Sequence, residues 1–156
     1  MAPQSHQRFR DRRGTSSLEF AICAPVMLGL FAVMVDVGNL LRARVTMAGA
    51  VAAAAQYATM VGTTVTAANA QNVVTNVAST AGLTATSTVT GPGCYCPSTY
   101  PVTYSTATCG TTCANNSLPA STYIVIKANY TYTPIAPHLS KIVTTALTET
   151  ATVLLQ

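Results

Sequence analysis

The chain contains no tryptophan and three phenylalanines, and charge is scarcer still: 8% of its 156 residues are charged, where about 25% is usual for a globular domain. There are four acids and two histidines in all. So little charge excludes acidic or polyampholyte disorder, and also coiled coils, whose flanking positions carry charge. Nine scattered glycines exclude collagen, which needs one at every third position. With 49% hydrophobic residues and a mean hydropathy of +0.37, a freely soluble cytosolic enzyme is not expected. The length suits one domain. Surface polarity is left to Thr, Ser and Asn, which are abundant from Thr59 onward.

Catalytic chemistry is equally short of residues. His6 and Glu19 lie before or at the start of an apolar run, and Asp36 lies near its end. Only Glu149, on a strand surface, and His138, in a Pro-His-Leu turn, remain for the rest of the chain. No Gly-rich phosphate loop, G-x-S-x-G elbow or His-rich metal motif occurs. Neither an enzyme nor a cofactor or metal site is expected.

The formal charge of +4 does not point to nucleic acid, because it is not spread over a fold. Arg8, Arg10, Arg12 and Arg13 crowd the first thirteen positions beside Asp11. Beyond them, Arg42, Arg44, Lys127 and Lys141 face Glu19, Asp36 and Glu149, so the remainder is nearly neutral. A nucleic-acid binder needs a basic face on its folded part.

Behind the basic tail, FAICAPVMLGLFAVMVDVGNLL fills Phe20 to Leu41, without a charge from Phe20 to Val35. About 20 apolar residues span a bilayer. The excess of arginine ahead of the run places the tail in the cytoplasm and sends the remainder outward. A cleaved signal peptide fits less well. Its apolar core is ~7–15 residues long and ends near the cleavage site, whereas Asp36, Asn39, Arg42 and Arg44 precede the A-x-A-like Ala48-Gly49-Ala50. Asp36 is expected at the outer membrane boundary, snorkelling or paired with Arg42 or Arg44.

Glu19 stands in Arg12-Arg13-Gly14-Thr15-Ser16-Ser17-Leu18-Glu19-Phe20. A cut after Gly14 would give Thr15 a free α-amine, largely protonated near neutral pH, with Glu19 one helical turn on. The carboxylate could then neutralise the Thr15 ammonium of an adjacent subunit, lowering the cost of packing charged helix ends together.

RRGTSSLEF followed by an apolar stretch resembles the processing site of type IV pilins and pseudopilins. Within that group the chain is similar to the TadE-like pseudopilins of the tight-adherence (Tad/Flp, type IVb) pilus and secretion system. The resemblance rests on Glu19-Phe20-Ala21 with Pro25 six residues after the acid, on Asp36-Val37-Gly38, and on the Ala-rich VTMAGAVAAAAQYAT. It continues through a Cys-x-Cys with a later cysteine pair to the closing YIVIKANYTYTPIAPHLSKIVTTALTETATVLLQ. His138 and the lack of a common Arg in the Ala-rich helix depart from the pattern; neither touches the processing site. The resemblance implies a minor pseudopilin precursor cut by prepilin peptidase between Gly14 and Thr15, with Glu19, Phe20 and Pro25 serving assembly. It implies pilin or pseudopilin subunits, the Tad inner-membrane platform and the lipid bilayer as partners, no nucleic acid, and a periplasmic domain serving adhesion and secretion. An uncleaved single-pass anchor presenting a periplasmic binding domain is the alternative reading.

Three regions follow: a basic leader (1–14), a transmembrane and stem helix (15–61), and a periplasmic α+β domain (62–156). No proline interrupts Leu41 to Met60 and its Ala, Met, Gln and Arg favour helix; Pro25 should loosen or kink it. The small faces Ala48, Gly49, Ala52 and Ala55 suit close helix packing between subunits, or are simply those of an Ala-rich helix. Val73, Val74, Val77 and Ala81 recur at helical spacing, predicting a second helix over 67–81 ended by Gly82. From Leu83 the period turns to two, with clear strands at 122–133 and 142–155 parted by Pro134-Ile135-Ala136-Pro137. The expected fold is α+β and type IV pilin-like: a long helix, a short one, and a small antiparallel sheet with a disulfide-stapled loop.

Cys23 falls inside the apolar run as a small apolar residue. Cys94, Cys96, Cys109 and Cys113 lie in a Gly/Pro/Ser/Thr-rich stretch expected to be loop. An exported domain favours disulfides over zinc, for which Cys-x-Cys spacing is atypical. Cys94 and Cys96 are too close to pair comfortably, leaving a nested set (Cys94–Cys113, Cys96–Cys109), which is preferred, and a crossed one (Cys94–Cys109, Cys96–Cys113).

Overall fold

A computed structural model describes residues 13–98, 102–136, 141 and 144–156. His138 and most of the arginine-rich tail lie outside them. Helix α1 runs from Arg13 to Val61, continuous through Pro25. Gly62 ends it at φ +65, where a Cβ would meet the Gln156 carbonyl oxygen at 2.7 Å, so a glycine is needed for both backbone conformation and space. A single 3-10 turn (Gly62–Thr64) leads to α2 (Ala67–Thr80). The Thr66 hydroxyl caps α2 by accepting from the Asn69 N–H at 3.3 Å. At the other end Gly82, at φ +80, lets the Leu83 N–H reach the Ala78 carbonyl at 2.9 Å. A left-handed glycine commonly closes a helix in this way.

Four antiparallel strands follow: β1 (Thr86–Pro97), β2 (Tyr104–Thr106), β3 (Ser121–Thr131) and β4 (Ala146–Leu154), in spatial order β2-β1-β3-β4. One face carries Val89, Ile124, Ile126, Ala128 and Val153 onto α1 and α2. The helices answer with Met47, Ala50, Val51, Ala54 and Ala58 from α1, and Ala70 and Val74 from α2. Alanine on the helical side lets the backbone come close to β-branched residues, which compensates for the shortage of large aromatics in the core. On the outer face the Tyr123 ring packs between those of Tyr95 and Tyr104, at centroid distances of 6.5 and 5.3 Å.

Strand β1 is longer than the expected alternating segment. A bulge between Thr90 and Gly93 absorbs Gly91-Pro92, since proline has no N–H for the ladder, and pairing then resumes through Cys94 and Cys96. Both cysteines therefore sit on a strand, not in a loop. Two disulfides form, Cys94–Cys109 and Cys96–Cys113, and the preferred nested pairing is incorrect. The hairpin register decides the matter. Cys96 lies opposite Ser105, and the Ala107 N–H donates to the Cys94 carbonyl at 2.9 Å. The chain leaving β2 thus reaches the level of Cys94 before it arrives at Cys109. A turn follows, with Thr111 N–H donating to Thr108 O, and the returning chain delivers Cys113 to Cys96. Each crosslink contributes typically 2–4 kcal/mol.

Candidate functional site: the bare half of the long helix and the acid that ends it

From Ser17 to Phe31 the side chains of α1 are exposed on every side apart from a half-covered Ala24. Leu18, Phe20, Ile22, Val26, Met27, Leu28, Leu30 and Phe31 project with no partner from the sheet or α2. Among the described residues this is the one helix long and apolar enough to cross a membrane. Leu18 to Val35 covers about 27 Å at ~1.5 Å per residue, close to the ~30 Å of a hydrocarbon core. Glu19, Phe20 and Pro25 all lie exposed on this stretch. Gly14 and Thr15 belong to the first turn of α1, which puts Thr15 and Glu19 on one face of the helix, four residues apart. Cys23 is a free, exposed thiol on the same stretch.

Asp36 marks the change. It has no exposed surface, and its carboxylate is enclosed by three donors from the far end of the sequence. The Tyr132 hydroxyl donates to Oδ1 at 2.7 Å, the Ile135 N–H to Oδ1 at 2.8 Å, and the Ala136 N–H to Oδ2 at 2.7 Å. The expected pairing with Arg42 or Arg44 is incorrect, and the carboxylate does not snorkel to solvent. Both arginines lie on the exposed side of the helix, whereas Asp36 starts the stripe Asp36-Leu40-Ala43-Met47 that turns toward the sheet. A buried carboxylate needs hydrogen-bond donors more than it needs a cation, and the loop after β3 supplies them. Burial, and then the bond to Asp36, holds the Tyr132 phenol above its ordinary value.

Tyr132, Ile135 and Ala136 are the functional residues that reading the sequence did not single out. The signal was present in two distant pieces: an acid in a long apolar helix, and TYTPIAP, where prolines leave backbone N–H groups without strand partners. Of the small residues expected to serve packing between subunits, Ala55 is half-covered and packs against the core. Ala48, Gly49 and Ala52 are exposed on the side away from the sheet, and a Cβ on Gly49 would meet nothing within 4 Å.

A family model described as TadE-like protein matches residues 14–56. The chain carries a TadE-like segment at its head. That segment takes in Gly14, Thr15, Glu19, the bare apolar stretch, Asp36 and most of the packed stripe of α1. No curated protein and no solved structure matches the chain. Among the described residues no group of three or more His, Cys, Asp or Glu side chains could hold a metal ion. A depression of about 400 Å³ beside α2, lined by Thr75, Ser79, Gly82, Leu83, Thr84 and Ala85, has no titratable side chain.

Proposed function

We propose that this TadE-like protein is a minor pseudopilin precursor of the Tad/Flp pilus. It is inserted once in the inner membrane with its basic leader in the cytoplasm and its α+β domain in the periplasm, and prepilin peptidase cuts it between Gly14 and Thr15. The arrangement that carries this reading is a basic tail, Gly14, and Glu19 five residues beyond it, at the head of a helix whose apolar side chains are bare. Removal of the leader creates an ammonium group on Thr15, and Glu19 of a neighbouring subunit offsets it where two helix ends meet beside lipid. Phe20 and Pro25 lie on the same exposed surface, available to other pilin or pseudopilin subunits and to the Tad inner-membrane platform. The product supports pilus assembly, and through it adhesion and secretion.

Mass spectrometry of the membrane-extracted protein, co-expressed with a prepilin peptidase, should show an N-terminus at Thr15. An intact leader under those conditions overturns the reading. Glu19→Ala should leave membrane insertion unchanged and impair pilus assembly; normal piliation in that variant rejects the charge-pairing step.

A further inference from the structure

Asp36 holds more than a side chain. Two of its three hydrogen bonds come from consecutive backbone N–H groups, those of Ile135 and Ala136, at 2.8 and 2.7 Å. The loop following β3 is therefore fastened to α1 at one point along the helix. At that point the helix surface changes character. Ser17 to Phe31 are almost all exposed, Ala32 and Val35 are half-covered, and Asp36 is buried. The fastened loop presents Ile135, 68% exposed, between the half-buried Pro134 and Ala136. Thr133 to Ala136 carries no charge.

We propose that this loop is a second membrane contact, with the side chain of Ile135 seated in the outer boundary of the bilayer beside the exit of α1. The proposal rests on the reading of α1 as a membrane-spanning helix. Its occupant is lipid because the surface is continuous with the bare helix. Ile135 sits next to Asp36, and Val33, three residues earlier on the same side of α1, is itself an exposed apolar residue. The three donors satisfy the carboxylate without a cation. The acid can thus lie at the hydrocarbon edge while its partners position an apolar side chain toward the acyl chains. An exposed isoleucine held rigidly at that level meets lipid, as the apolar face of an interfacial element does.

The test uses the full chain, oxidised, with Cys23→Ser, reconstituted in phosphatidylcholine–phosphatidylglycerol vesicles. Single reporters are introduced as Phe31→Cys, Ile135→Cys and Thr150→Cys and labelled with a bimane fluorophore. Spin-labelled lipid should quench the Phe31 and Ile135 positions, and aqueous iodide should quench Thr150 alone. If lipid quenches the Phe31 position while the Ile135 position responds only to iodide, the loop proposal fails and the spanning helix stands. If lipid quenches neither, the spanning reading itself fails. An Ile135 position shielded from both quenchers points to a second copy of the chain on this surface and also overturns the proposal. Adding Asp36→Ala should abolish lipid quenching at Ile135 and preserve it at Phe31. Asp36→Asn, which retains one acceptor oxygen, guards against misfolding and should give a smaller loss. Undiminished quenching in both variants removes Asp36 as the fastening group.

Discussion

Met34 and Met47 belong to the same helix, yet Met34 is 73% exposed and Met47 is 0% exposed. The two halves of α1 solve different problems with similar residues. Residues 20–35 are apolar around the whole circumference, a pattern suited to a helix that crosses a bilayer. Residues 36–61 bury only the stripe Asp36, Leu40, Ala43, Met47, Ala50, Val51, Ala54 and Ala58, whose steps of three, four and seven define one side of a helix. The sheet and α2 cover that side and leave the other open. The half left bare all round thus suits a bilayer and the half buried along one stripe serves the domain, even where the chain passes from one to the other without a break.

The most direct way to break this comparison is to truncate the two methionines. Met47→Ala removes a fully buried side chain from the core and should destabilise the domain by about 2–5 kcal/mol. Met34→Ala should leave domain stability within about 0.5 kcal/mol. Thermal unfolding followed by circular dichroism in detergent measures both. Equal effects would mean that the two halves share one environment.

A charge sharpens the same contrast from the lipid side. Leu28 and Val45 are 69% and 74% exposed, so neither is held by the domain. Leu28→Arg places a cation in hydrocarbon at a cost of roughly 2.5–3.5 kcal/mol on insertion scales and should shift the protein out of the membrane fraction. Val45→Arg, beyond the boundary marked by Asp36, should leave fractionation unchanged. Loss of insertion in both variants would move the membrane boundary past Val45.

The boundary between the halves was only partly legible in the sequence. The length of α1 was evident from an Ala-rich stretch free of proline, and its end at Val61 falls one residue beyond the expected Met60. The second helix, expected over 67–81, spans Ala67–Thr80, because valine periodicity and a closing glycine are local signals. Strand β3 likewise follows its local alternation. The surroundings of Asp36 were not legible. Its donors stand 96 to 100 residues away, and nothing local tells a carboxylate that snorkels from one that is enclosed. The disulfides failed for a related reason: four cysteines permit both pairings, and the choice depends on a hairpin register set by the pairing of Cys96 with Ser105. Local order was readable where neighbours in sequence decide it, and hidden where distant segments do.

Tyr132 tests that hidden contact. Tyr132→Phe removes one of the three donors to Asp36 and should cost about 1.5 kcal/mol of domain stability. The variant also separates the phenol's effect on pH dependence. The raised value of Tyr132 means that the fold favours the neutral phenol. Its contribution is complete below the ordinary value of 10.0 and is lost as pH rises beyond it, when the unfolded chain ionises first. The stability difference between wild type and Tyr132→Phe should therefore be constant at neutral pH and narrow above about pH 10. A difference that widened with pH would reverse the assigned sign.

The smallest effect tests whether a perturbation outside α1 respects the division within it. Thr66→Ala deletes the hydroxyl that accepts from the Asn69 N–H, and losing such a cap costs about 1 kcal/mol. Helix α2 packs through Ala70 and Val74 onto the core built on Met47, Ala50 and Ala54, so loosening its first turn weakens only the packed half of α1. The melting temperature should fall by a few degrees, about what ~1 kcal/mol produces in a domain of this size. Membrane fractionation and lipid quenching at Phe31 should not change, because no residue of α2 covers the bare stretch. A melt left unchanged alongside altered membrane behaviour would place the support of α2 on the wrong half of the helix.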